Sequence, residues 1–446
     1  MNKKLVTVIT ALLVVCMFTA CSGAPAEQSA QVSKAPEVSV SASAATEAPA
    51  ASVDPTQISA NLTMWTGTWN QEKMDGLLEK FHETYPNINV NIEYGPWDGM
   101  EDKYLASMQA GTIPDIIDMA IAWTIPYAKM GNLVAIDDIA AKYGLDLNAT
   151  YYEGGLETSE VDGLHYALPY RTEVMALIYN KDLFKQAGLD PEKGPATWDE
   201  LVQYGKAITA LGNGIFGFGQ CGYGTGNTTA QVYSLMFSNG VELLNEDGTK
   251  AAFNTPQGVE ALEYWASLKD IAPASVLEND NTTNRNLFAE GKLGMFITGS
   301  YDLAAIHEAN PDIKMGFSIF PQYKSEYPIK AQQGGWNIGM TKECTDDEKD
   351  AAFLWIEFLA SPEISVTFSD TISACKEAID DPKYSDPELK VFLESLQYGK
   401  PVPGNINMNA ITTIMYNESQ AVLSGLKDAA TALKDAETQV NDLLAG

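Results

Sequence analysis

From about residue 58 onward the apolar positions of the chain change period in a regular way. Asn61-Leu62-Thr63-Met64-Trp65 alternates and predicts a short strand. Met74, Leu77, Leu78, Phe81 and Tyr85 then recur at helical spacing until Pro86-Asn87 ends the run. Residues 88–94 alternate again, 101–110 return to a helical period, and Pro114-Asp115-Ile116-Ile117-Asp118-Met119 reads as a more buried strand. Strand, helix, strand, helix, strand predicts a mainly parallel, doubly wound sheet. In open sheets of that kind ligands lie beyond the carboxyl ends of the strands, here the loops at residues 65–70 and 120–123.

A second α/β region follows. Residues 165–182 predict one long extended segment that feeds a helix through Leu183-Phe184. Residues 292–301 predict a strand, a tight turn and a helix start, with Asp302 favouring the helix N-terminus. Two short strands are expected at 316–321 and 334–340. The tail from Asn409 is helical by pattern, with Ile411, Ile414, Met415, Val422 and Leu426 on one stripe and Leu433, Val440 and Leu444 on another. Trp198, Trp265 and Trp355 lie inside helical patterns and are expected in the core.

The first residues do not belong to this fold. Lys3 and Lys4 precede an apolar stretch, 5–18, that is too short to span a bilayer, and Phe18-Thr19-Ala20-Cys21 follows at once. This resembles the lipobox of a bacterial lipoprotein, in which residues 1–20 are a cleaved signal peptide and Cys21 becomes an acylated N-terminus. Residues 21–57 are rich in Ala, Ser, Pro, Glu and Val without amphipathic period, so a disordered tether is expected, reaching about 30–35 Å from a membrane. A long tether without polar sorting residues suggests a Gram-positive cell, with the protein on the outer face of its membrane.

Charge narrows the partners. Among 446 residues, 59 acids against 28 bases give a net charge of -31. A surface that acidic disfavours nucleic acid and attachment through a basic patch. The remaining cysteines, Cys221, Cys344 and Cys375, are widely spaced, and His82, His165 and His307 are isolated from them and from one another. No metal-ligand spacing results, and neither a metal nor a cofactor is expected. Buried free thiols are favoured over a Cys344–Cys375 bridge.

The ordered motifs resemble one family. The lipobox, Trp65-Thr66-Gly67, the run from Ala110-Gly111-Thr112 to Pro114-Asp115-Ile116-Ile117, Leu168-Pro169-Tyr170, Ile178-Tyr179-Asn180-Lys181-Asp182, Ala196-Thr197-Trp198-Asp199, Phe288-Ala289-Glu290-Gly291-Lys292 and Gly334-Gly335-Trp336 occur in the order seen in family 1 extracellular solute-binding proteins of ABC sugar importers. The resemblance implies a two-lobed, type II periplasmic-binding-protein-like α/β fold with discontinuous lobes joined by hinge crossings. Lobe one would hold residues 58–168 plus about 323–372, and lobe two 169–322 plus about 373–446. It implies a monomer that is not an enzyme, holds its ligand between the lobes and delivers it to the membrane permease subunits of an ABC importer.

The chemistry of the candidate residues favours a carbohydrate, and their number an oligosaccharide. A pyranose packs its C–H face on aromatic rings and pairs its hydroxyls with planar polar groups. Trp65, Trp69 and Asn70 sit at the exit of the first strand, and Asp118 and Trp123 at the exit of the third. Tyr170, Arg171 and Glu173 mark the first crossing; Tyr301 follows a Gly-Ser turn, and Trp336 and Asn337 follow Gly-Gly. Tyr223 stands in the glycine-rich stretch 217–227, read as a cleft-side loop because it lacks the Lys-Ser/Thr ending of a phosphate loop. Asp118 equally suits a helix cap, and Arg171 with Glu173 a hinge brace. The competing readings are an exported carbohydrate-active hydrolase, which needs two carboxylates across a sugar, and a sugar-sensing lipoprotein.

Overall fold

The computed structural model describes residues 54–446 except Asp98, Ser369 and Asp370. The expected signal segment, Cys21 and the tether up to residue 53 therefore lie outside the described residues. The last tether positions are ordered: Pro55–Gln57 form a 3-10 turn because Pro55 presets its first residue and the Asp54 carboxylate accepts from Thr56 N–H at 3.0 Å.

The first strand–helix units form as their periods predict. β1, Ala60–Gly67, buries Ala60, Leu62 and Met64 on one face, while Thr63 opposite is fastened to the Asp115 carboxylate through both its N–H and its hydroxyl. α1, Gln71–Thr84, buries Met74, Leu77 and Phe81, and β2, Ile88–Gly95, follows. α2, Met100–Ala110, ends at Gly111, whose φ of +65° suits a residue without a side chain. β3, Ile116–Ala120, then runs directly into α3, Ile121–Lys129. β1 pairs in parallel with both β2 and β3.

The segment expected to be one long strand breaks at Met175. β4, Leu168–Val174, and β5, Ala176–Asn180, belong to different sheets. Tyr170 packs in one hydrophobic core and Val174 in another, so the chain changes core within a single strand. Beyond it come β6, Phe216–Gly219, and α4, Thr225–Ser238, separated by a short loop that holds Tyr223. β7, Leu293–Thr298, β8, Met315–Ser318, β9, Ala331–Met340, α5, Lys349–Ala360, and β10, Ile372–Ser373, complete the sheets' main elements.

The described residues form a seven-stranded sheet ordered β10-β4-β9-β3-β1-β2, with Gly399–Lys400 pairing beside β9, and a four-stranded sheet ordered β8-β5-β7-β6. Both are mixed rather than mainly parallel: β9 is antiparallel to β3 and β4, and β5 to β7 and β8. The reason lies in the crossings. β4 carries the chain out of the first core and β9 brings it back, so the two must run in opposite directions.

Each core is therefore assembled from separate stretches of chain. One contains side chains from Ala60 to Tyr170 and again from Trp336 to Ala378. The other covers both faces of the four-stranded sheet, with side chains from Val174 to Ala331, Ile372, and again from Tyr384 to Val440. Trp198, Trp265 and Trp355 are buried as expected. The tail forms two helices, α6, Met408–Leu423, and α7, Ala429–Ala445. Leu426 does not continue the α6 stripe: Gly425, at φ +79°, ends the helix, and Leu426 is 82% exposed. Among the described residues no helix is long and apolar enough to cross a membrane.

Candidate binding site

The carboxyl ends of β1, β2 and β3 and the middle of β9 bring four tryptophans together. Trp69 lies in the turn after β1, Trp97 in the loop after β2, and Trp123 in the first turn of α3. Trp336 comes from β9, where it pairs opposite Ala120. The Trp69 and Trp336 rings are 4.9 Å apart, Trp97 and Trp336 5.6 Å, and Trp97 lies flat on Trp123 at 5.3 Å with 10° between planes. Trp97 was missed in the sequence reading. Its signal was the one that selected Trp69: an aromatic residue in a Gly- and Pro-flanked turn, Gly95-Pro96-Trp97, at the exit of a strand.

Below these rings lies a polar network without solvent contact. Thr66 Oγ1 donates to Asp118 Oδ2 at 2.7 Å, and Asn70 Nδ2 donates to the same oxygen at 3.1 Å and to Thr66 Oγ1 at 2.8 Å. Arg171 Nη1 donates to Asn70 Oδ1 at 3.2 Å, and its Nη2 lies 3.7 Å from Asp118 Oδ2. The guanidinium also packs over the rings of Tyr170, Phe368 and Trp336, at 4.7, 5.1 and 5.2 Å. Burial pushes the Asp118 carboxyl above its ordinary range, although Arg171, Thr66, Tyr170 and Asn70 each pull it back. Burial raises the Tyr170 phenol further from ionisation, and the neighbouring Asp118 adds to it.

The structure thus joins Asn70, Asp118, Tyr170 and Arg171, but as a buried support with the tryptophans above it. Asp118 is not a helix cap: Ala120 stands at the N-cap of α3, no side chain caps the helix, and the Asp118 carboxylate is turned into the network. Arg171 contacts Asn70, Asp118 and the Tyr170 phenol and braces β4 against the ends of β1 and β3.

The other candidates are distributed around this centre. Trp65 is on the opposite face of β1 from Thr66, 5.8 Å from the Tyr104 ring, with Lys103 Nζ 3.6 Å over its own ring. Strand alternation alone sends it there. Asn337 is likewise one position past Trp336, beyond a bulge, and donates to Thr124 Oγ1 at 2.9 Å and Thr158 Oγ1 at 3.0 Å inside the first core. Glu173 and Tyr301 belong to the second region, and Glu173 is close enough to help Asp302 and burial hold the Tyr301 phenol above its ordinary range. Glu173 also faces Gly334 across the two crossing strands.

Tyr301 helps to line a small cavity with Met175, Cys221, Asn227, Gln231 and Asn281, at the ends of β6 and β7. Beside it Asp302 accepts from Thr298 Oγ1 and Asn281 Nδ2, both at 2.6 Å, with Arg285 at 3.3 Å. Tyr223 is exposed on the loop before α4. Cys221, Cys344 and Cys375 are free and buried, and burial pushes their thiols up to about 12, 12 and 11. No group of three or more His, Cys, Asp or Glu side chains able to hold a metal occurs among the described residues.

Two discontinuous α/β lobes, exchanged through paired crossing strands, with an aromatic and polar site at the carboxyl ends of the first lobe's strands, define a two-lobed binding protein of type II. The model of the bacterial extracellular solute-binding protein family matches residues 67–365, and the chain belongs to that family. It is 25% identical over 411 residues, 86% of this chain and 93% of the relative, to the sn-glycerol-3-phosphate-binding periplasmic protein of Brucella abortus (strain 2308). Among solved structures it is similar to an ABC transporter solute-binding protein of Thermotoga lettingae bound with α-D-tagatose. That match has a TM-score of 0.77 and 26% identity, and covers 86% of this chain and 100% of the other. Maltose-bound MalE3 of T. maritima matches with a TM-score of 0.76, 25% identity and coverage of 86% and 99%. The protein is a solute-binding component of an ABC transporter; the family consists of binding proteins and not of enzymes.

Proposed function

We propose that this protein captures a carbohydrate, an oligosaccharide in particular, against the tryptophan cluster and delivers it to the permease subunits of an ABC importer. The observation that carries this reading is the convergence of Trp69, Trp97, Trp123 and Trp336 over the buried Asp118–Arg171 network. Indole faces match the C–H faces of sugar rings, and a preorganised base limits what binding must reorder. Similar proteins bound to tagatose and to maltose support it.

The first lobe is taken as residues 54 to about 172 with about 336–380, and the second as the intervening stretch with the remainder, following the two sets of core side chains. Sugar seated on the first lobe gains contacts from Tyr223, Glu173 and Tyr301 of the second. The ligand then favours a closed form by its differential affinity, and that form meets the permease. Acylation at Cys21 holds the monomer on the outer face of a Gram-positive cell membrane.

Calorimetric titration of the purified protein with a panel of mono- and oligosaccharides tests the reading. A sugar that binds, raises the unfolding temperature and is recovered unchanged is the expected result. Turnover of that sugar, or no binding by any member of the panel, would sink it. For the anchor, cells fed labelled palmitate should lose the label in a Cys21→Ser variant.

A further inference from the structure

The four clustered tryptophans do not offer equal surfaces. Trp123 and Trp336 are only 8% and 9% exposed, whereas Trp97 is 50% exposed and is the only exposed tryptophan among the described residues. One face of Trp97 is covered by Trp123, nearly parallel to it at 5.3 Å, and the Trp336 and Trp69 rings stand at 77° and 61° to it at 5.6 and 6.4 Å. With that neighbour stacked on one side, the exposed half of Trp97 is assigned to the face turned away from Trp123. Its backbone is held as well: Trp97 O accepts from Met100 N–H at 3.1 Å where the loop turns into α2, and Gly99 supplies the left-handed residue at φ +76° that this turn requires. An open indole fixed from behind by a second indole is a flat and preorganised surface.

We infer that the open face of Trp97 is the stacking anchor of the site, and that it makes the protein select ring-form sugars over acyclic polyols and glycerol phosphates. A pyranose in its chair form presents a rigid patch of C–H groups to such a face, whereas an acyclic chain must be ordered to do so. The cation beneath gives a phosphate no compensating attraction. Arg171 is buried, its charge is engaged by Asp118 at 3.7 Å, and its planar faces are packed by aromatic rings. The nearby Lys103 lies on the Trp65 ring and 3.6 Å from Glu93. The inference rests on the carbohydrate reading above and adds to it which residue the sugar touches and which solutes it excludes.

The test is calorimetric titration of the full chain and of Trp97→Ala and Trp97→Phe with maltose, cellobiose and raffinose, and with ribitol and sn-glycerol 3-phosphate as acyclic probes. Because Trp97 is half exposed, both variants should keep the wild-type circular dichroism and unfolding temperature. At least one ring sugar should bind the wild type more tightly than either acyclic probe. Trp97→Ala should weaken that sugar about tenfold or more, and Trp97→Phe should recover part of the loss. Wild-type-like sugar affinity in Trp97→Ala overturns the anchor while leaving the carbohydrate reading standing. Tighter binding of ribitol or glycerol phosphate than of every sugar overturns the selectivity, and failure of all sugars to bind overturns both readings.

Discussion

Asp118→Asn removes one charge from a pair whose side chains are both inaccessible to solvent and whose closest atoms are 3.7 Å apart. At that distance and an effective dielectric constant of about 20, the lost attraction is about 4.5 kcal/mol. Measured losses on deleting one member of a buried pair are about 3–5 kcal/mol, because the other charge stays behind uncompensated. The rings of Tyr170, Trp336 and Phe368 around Arg171 should absorb part of this, by about 1–2 kcal/mol. The net expectation is about 3 kcal/mol of lost stability. Arg171→Met should cost a similar amount at pH 8 and less at pH 5. A lone buried carboxylate has its folded pKa raised above the unfolded value, so the stability lost through it grows as pH rises through the folded value and is relieved by protonation below it.

The double variant is the decisive case. Asp118→Asn with Arg171→Met leaves no buried charge in the pair, so it should be more stable than the sum of the two losses predicts by about 2–3 kcal/mol. Urea unfolding followed by tryptophan fluorescence measures all four proteins in one cycle. Losses that add to within about 0.5 kcal/mol would show that the two groups do not compensate each other, and the account of the base beneath the tryptophans would fall.

Three further expectations concern other parts of the fold. Glu101, at the start of α2, has its carboxyl pushed up to about 7 by burial and by Asp102; its folded value is raised, so its charged form weakens the fold above that pH. Glu101→Gln should therefore gain about 1–2 kcal/mol at pH 8, after allowance for partial exposure, and the gain should vanish near pH 5; equal gains at both pH values in urea unfolding would refute this. Gly335 has φ +138°, and a Cβ there would meet Arg171 O at 2.5 Å, so Gly335→Ala should cost about 2–3 kcal/mol in the same assay, and a loss below about 0.5 kcal/mol would contradict the geometry. Ellman's reagent should reach the thiols of Cys221, Cys344 and Cys375 only after denaturant is added, and rapid labelling of any of them in the native protein would mean that it is not buried.

Trp336 illustrates how a residue's neighbours alter a prediction made from its position in the chain. Its place after Gly334-Gly335 suggests an exposed ligand contact whose removal leaves the fold intact, with a loss of about 2–4 kcal/mol in binding alone. In the fold it is buried within the first core and against Trp69, Trp97 and Arg171. Trp336→Ala should therefore lower stability as well as affinity, by about 3–5 kcal/mol. The residue that presents an open face is Trp97, one loop away.

What the amino-acid order determined by itself is local. The alternation of β1, the helical spacing of Met74, Leu77 and Phe81, the stop at Pro86 and the strand ending near Ala120 all follow from periods that neighbouring residues set. So does the placement of Trp69 and Trp123 just past strand ends, although the loop expected at 120–123 is the first turn of α3. Only the tertiary structure decided which strands are neighbours, where the chain changes core, and which side chains meet. Asp118 and Arg171 are 53 positions apart and become partners because β9 lies between β3 and β4 in the sheet. Trp65 and Trp69 have the same residue type and nearly the same place in the chain, yet strand alternation turns one toward Tyr104 and the turn after β1 carries the other to Trp336. Periodicity reports which face of its own element a residue occupies; what that face meets depends on long-range packing, which no local window contains.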